Sequence, residues 1–226
     1  MLPSPPRGAR RDGAWIAPAA AVVTVVVIVL GVIAPVLPVT SDEHAPWNLV
    51  QRALGFEAGR SVPGWWSTVL PVLVGVAAVD AAGRRASVAA RAGWVLLGLL
   101  LGWLSLDHLV TIHEAVQVGG LGPVSGHPVE AALLVLGAVA AGLLVRSERR
   151  GTVVQLGLAA ALYAASAAVD AYGVPVPLSQ HHTAMIEVGL SWLALLVALR
   201  CARSVGVTAP DSTSAGAAKV GQTHST

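Results

Sequence analysis

Apolar positions in this chain come in long runs separated by short polar breaks, and these runs set its organisation. The first extends from Trp15 to Leu37 and follows Arg7, Arg10 and Arg11. Its 23 residues are enough to cross a hydrocarbon core of about 30 Å at about 1.5 Å per residue. A signal peptide begins similarly, but its apolar core is only about 7–15 residues long. No small-x-small cleavage site follows, so the run reads as a retained span. The longest connection, Ser41–Gly64, carries Asp42, Glu43, Arg52, Glu57 and Arg60. Within it, Trp47 and the stretch Asn48–Phe56 predict a short amphipathic helix lying on the membrane surface.

Five more runs follow. Trp65 and Trp66 mark a water–hydrocarbon boundary and open a span over 65–82 that ends against Arg84 and Arg85. Further spans are expected over 92–118, 129–145, 152–172 and 181–199, with Gly- and Pro-containing turns after Val118 and Tyr172. The pattern predicts an all-α, polytopic membrane bundle of six transmembrane helices over residues 15–203, preceded by a cytoplasmic segment 1–14. The tail 204–226 is rich in Ser, Thr, Ala and Gly. It lacks an apolar period and is expected to be a disordered cytoplasmic tail.

Charge fixes the orientation. In an alternating six-span arrangement, twelve of the fourteen basic residues fall on one side, leaving only Arg52 and Arg60 on the other. Basic residues are retained on the cytoplasmic side, so both termini are expected there. Composition agrees: 55% of the 226 residues are hydrophobic and 12% charged, with a mean hydropathy of +0.71. Soluble domains carry about a quarter charged residues. A net charge of +2 is too small to suggest nucleic-acid binding. A lone cysteine, Cys201, excludes an intrachain disulfide and reads as an incidental thiol. Thirteen Arg against one Lys, amid abundant Ala and Val, suggest a high-GC bacterial genome and hence a multi-pass protein of the inner (plasma) membrane. Small-residue stripes at Gly98/Gly102, Ala138/Gly142 and Gly157/Ala161/Ala165 predict close helix contacts.

Ionisable residues inside the spans are the candidate chemistry, because a charge in hydrocarbon costs several kcal/mol. Counting from the expected helix starts, Asp107 and Glu187 both lie about 9 Å below the outer boundary, on different helices. Asp107, Thr111 and Glu114 share one helical face, as do Tyr163, Ser166 and Asp170 on the fifth span. Gln180, Thr183, Glu187 and Ser191 form a third stripe on the sixth. Three polar stripes in the outer half are what an outward-facing pocket for a small ligand, ion or proton needs, with Asp107, Thr111, Ser166, Asp170 and Glu187 as its candidates. A buried carboxyl can equally serve only to hold helices together. Glu114, Glu130, His127, His181 and His182 lie near helix ends and read first as ordinary interfacial groups, and Asp80 is expected to pair with Arg84.

Histidines and carboxylates also suit a divalent metal such as zinc. His108 and His113, five residues apart, are separated by about 140° around a helix and cannot both face one ion. His113 lies nearer the outer boundary, where His181 and His182 are expected, so the candidate ligands are His113, Glu114 and His182. No phosphate loop, nucleotide fingerprint, Gly-x-Ser-x-Gly elbow or Cys-x-x-Cys pair is present.

The stretch Leu104–Ala115, with Ser105-Leu106-Asp107 followed by His113-Glu114, resembles a segment of uncharacterised bacterial multi-pass membrane proteins. The resemblance covers this span and, more faintly, the sixth with Glu187; it implies no established activity. A looser likeness to ceramidase-type membrane hydrolases rests on scattered Asp and His. Three functions stay open: a polar binding pocket, a metal-dependent hydrolase at the outer leaflet, and a non-catalytic scaffold.

Overall fold

The computed structural model describes residues 15–36, 45–56, 61–110, 127–172 and 180–204. Among these the regular structure is all helical: α1 (Ile16–Ile33) with a 3₁₀ turn (Ala34–Val36), α2 (Pro46–Leu54), α3 (Val62–Gly83), α4 (Val88–Val110), α5 (His127–Ser147), α6 (Arg150–Tyr172) and α7 (Gln180–Ser204). Apolar runs without water to bind their backbone become helices, which satisfy every interior N–H and C=O within the segment. The expected segment 1–14, the tail beyond Ser204 and the end of the third run (111–118) lie outside the described residues.

Local chemistry sets the helix starts. Pro46 opens α2, where a missing N–H costs nothing. Ser61 caps α3 by accepting from Gly64 N at 3.2 Å, and Pro63 follows in the first turn. α3 therefore begins before the Trp65 expected from hydropathy, because the cap lies outside the apolar run. α2 coincides with the expected amphipathic segment. It turns Asn48 inward, with Trp47 and Leu49 exposed.

α3 is the centre of the bundle. Leu70, Val74, Ala77, Ala78 and Ala81 are all 0% exposed. α3 packs against α4 on one side and α7 on the other, α4 packs on α5 and α7 on α6, while α1 seats against α3 and α7. Successive long helices run antiparallel: Gly93 near the start of α4 meets Leu144 near the end of α5, and Leu100 further along α4 faces Gly137. α5 and α6 are joined by a short turn yet share only marginal contact.

Among the described residues five helices (α1, α3, α4, α6 and α7) are long and apolar enough to cross a membrane, and α5 carries a shorter apolar stretch, Ala132–Ser147. The outer surface is aliphatic, with Leu134 74%, Val154 69% and Leu99 64% exposed. A water-soluble protein rarely exposes apolar patches on this scale. In a bilayer the same surface is matched to lipid.

The small-residue stripes are used selectively. Gly98 meets the Gly75 carbonyl oxygen and Val79, but nothing lies within 4 Å of a Cβ placed on Gly102, Gly142 or Gly157. The contacts run instead through Gly75, Gly93, Ala140 and Ala159. A GxxxG spacing names a face, and the crossing point of two helices touches it at one glycine only.

Candidate functional site

Three consecutive residues of α3 reach three different helices. Trp66 donates its indole N–H to Thr24 Oγ1 of α1 at 2.9 Å. Ser67 Oγ accepts the indole N–H of Trp192 of α7 at 2.9 Å, and the Thr68 carbonyl oxygen accepts from Ser105 Oγ of α4 at 2.8 Å. Successive helical residues point about 100° apart, so a central helix can fan neighbouring residues onto its surroundings. Thr24 itself donates to Ala20 O at 2.8 Å, so its hydroxyl is used in both directions. The pair Trp65–Trp66 is thereby divided: Trp65 is 71% exposed, whereas Trp66 turns inward to α1.

A fourth bond joins two of the stripes found in the sequence. Ser166 of α6, 6% exposed, donates its Oγ to the Glu187 carbonyl oxygen of α7 at 2.9 Å. Ser191 closes back on Val188 O within α7 at 2.8 Å. Ser166 and Glu187 are therefore brought together. Asp107 occupies the last turn of α4 and Asp170 the last turn of α6. Among the described residues α4 and α7 make no direct contact: α3 stands between them, and the Ser105–Thr68 and Trp192–Ser67 bonds link the two helices through it.

Of the metal candidates, His113 and Glu114 lie outside the described residues, as does Thr111. His182 is exposed in the first turn of α7. Among the described residues no group of three His, Cys, Asp or Glu is close enough to hold an ion.

The opposite end of the bundle holds a second network, larger than the Asp80–Arg84 pair expected from sequence. That pair forms, and Arg84 also donates to Ala202 O of α7 at 3.0 Å, with Arg203 3.8 Å from Asp80. Beside it, Glu148 of the α5–α6 turn is 1% exposed at its side chain. It pairs with Arg85 and accepts the indole N–H of the fully buried Trp94 at 2.8 Å. Cys201 is buried there, its Sγ 3.7 Å from Thr152 O. Glu148 carried no signal in the sequence, where it reads as one acid in a basic loop. Its partners, Arg85 and Trp94, lie 63 and 54 residues away.

Apolar helices with an aliphatic outer surface, polar side chains paired inside and arginines gathered at one end define a helical membrane protein. A family model described as a domain of unknown function, DUF8692, matches residues 13–205. The chain belongs to that family. No curated protein and no solved structure matches it.

Proposed function

We propose that this is a six-span protein of the bacterial inner membrane, with both termini cytoplasmic, whose outward half binds a small ligand, ion or proton. Asp107, Thr111, Ser166, Asp170 and Glu187 form the pocket. The observation that carries this reading is the bond from Ser166 Oγ to the Glu187 carbonyl oxygen, which joins the polar stripes of α6 and α7 at one level. An ionisable group at that depth is retained against a cost of several kcal/mol. A ligand that binds only the folded protein stabilises it by about 2.7 kcal/mol at a hundredfold excess over Kd. Thermal unfolding of the purified protein, scanned over pH and a panel of mono- and divalent cations, tests this. The wild type gains stability with the right cation or proton concentration, and Glu187→Gln loses that dependence while still folding. An identical profile for the two proteins would sink the reading.

The pairing of Trp66, Ser67 and Thr68 with their neighbours favours a second reading, in which polar residues only lock the bundle. Glu187→Gln would then lower stability equally under every condition.

Topology has its own test. In a Cys201→Ser background, an impermeant maleimide applied to intact cells labels Gly122→Cys and spares Ser87→Cys. The six-span arrangement fails if the two labelling patterns are exchanged.

A further inference from the structure

The turn between α5 and α6 presents Arg146, Arg149 and Arg150, all exposed. None of the three is engaged by another side chain among the described residues. The one acid of this stretch, Glu148, is withdrawn: it is 1% exposed and held by Arg85 and Trp94. The turn therefore shows three guanidinium groups with no local counter-charge. An ordinary solvated loop of this composition would let its own glutamate neutralise one of them.

The surface beside these cations is apolar. Val145, 59% exposed, precedes Arg146, and Val154, 69% exposed, lies one helical turn beyond Arg150. Leu158, 51% exposed, continues the α6 face a turn further from the arginines. Cations at one end of an exposed aliphatic face match an amphiphile with an anionic head and apolar tails. A soluble acidic protein or a free anion would have no use for the aliphatic part.

We propose that the α5–α6 turn is a docking site for an anionic phospholipid of the adjoining leaflet. Arg146, Arg149 and Arg150 contact the head-group phosphate, and the acyl chains lie along Val145, Val154 and Leu158. Glu148 acts at a distance: its bonds to Arg85 and Trp94 hold the turn and keep its own charge away from the lipid. Guanidinium forks suit phosphate oxygens geometrically. Each arginine near an anionic lipid surface contributes about fivefold in binding.

Native mass spectrometry of the detergent-purified full chain tests this. The protein is offered equal amounts of phosphatidylglycerol and phosphatidylethanolamine with matched acyl chains. Phosphatidylglycerol is retained at least about tenfold better by the wild type. That preference falls about tenfold or more in the R146Q/R149Q/R150Q variant, while R146K/R149K/R150K keeps most of it. Arg200→Gln removes one exposed positive charge of the same bundle end and leaves the preference intact. Equal retention of both lipids by the wild type, an unchanged preference in the triple glutamine variant, or an equal loss in Arg200→Gln would each overturn the proposal. So would displacement of the lipid by inorganic phosphate at equal concentration, which would mark a site for a free anion that makes no use of the acyl chains.

Discussion

The indole N–H of Trp192 and the hydroxyl of Ser67 meet at 2.9 Å across the α3–α7 interface. Trp192 is 0% exposed, so no water is at hand to take its N–H, and the hydroxyl is what allows so large a ring to be buried there. Phe56 packs on the same indole, with ring centroids 6.0 Å apart and a tilt of 44°. One buried side chain thus ties together the central helix, the last helix and the connection that follows α2.

Removing the acceptor alone should be felt but tolerated. Ser67→Ala leaves the Trp192 N–H unpaired, and interhelical hydrogen bonds in membrane proteins are worth about 0.6 kcal/mol on average and about 1.7 at most. The expected loss is about 1 kcal/mol, measured by reversible denaturant unfolding in mixed micelles. Ser105→Ala removes a donor to Thr68 O and is expected to cost less. That carbonyl still has its place in the helix ladder.

Glu148 predicts a larger effect. With its carboxylate 1% exposed between Arg85 and Trp94, Arg85→Ala leaves an uncompensated buried charge. Breaking one partner of such a pair costs about 3 kcal/mol. The R85A/E148L double variant removes both charges and should recover part of that loss. Unfolding midpoints of the wild type, the single variant and the double variant decide it. A double variant no better than Arg85→Ala would show that the pair is not coupled.

How much of this was legible beforehand follows from what each feature depends on. The five long apolar helices were legible because a run of apolar residues long enough to cross a bilayer is a local property, and the α2 segment because its amphipathic pattern is local too. The Asp80–Arg84 pair was also within reach, being four residues apart on one helix. Trp66, Ser67 and Thr68 were not: an indole beside another indole reads as a boundary marker, and only the packing order of α1, α3, α4 and α7 gives each residue its partner. Glu148 was hidden for the same reason, since its meaning lies in Arg85 and Trp94 on other elements. The glycine stripes gave helix faces without crossing points. For the candidate pocket, the sequence offered helical phase on each span, while the Ser166–Glu187 contact needed the pairing of α6 with α7.

The connection after α2 is anchored by shape. A Cβ placed on Gly31 of α1 would overlap the Phe56 ring, so the ring occupies the space that a side chain there would take. Gly31→Ala should displace Phe56 and cost about 1–3 kcal/mol, the range for overpacking. Phe56→Ala should cost about 2 kcal/mol, below the range of about 3–5 for a large aromatic in a core, because the ring is only partly buried. Combining them distinguishes steric conflict from general damage. The G31A/F56A protein should be more stable than the sum of its two losses predicts, as unfolding free energies of the four proteins would show.

The sharpest contrast lies in two glycines that sequence alone treats as equivalents. Gly98 and Gly102 stand four apart on α4, the spacing of a paired helix contact. At Gly98 an added Cβ would meet Val79 Cγ2 at 2.9 Å and the Gly75 carbonyl oxygen at 3.0 Å. The carbonyl belongs to backbone and cannot rotate away, so α3 and α4 must separate. Gly75 faces the same obstacle from the other side, 3.1 Å from Gly98 O. Gly102 instead borders a groove of about 450 Å³ between the two helices, lined also by Val72, Val76 and Leu99, and an added methyl meets nothing within 4 Å. Gly98→Ala and Gly75→Ala should therefore each cost about 1–3 kcal/mol. Gly102→Ala should be neutral or stabilising by up to about 1 kcal/mol, since alanine is the better helix former. Unfolding of the three variants under one set of conditions gives the ranking. Equal destabilisation at positions 98 and 102 would mean that the helices pack along the whole stripe, against the single crossing at Gly75 and Gly98.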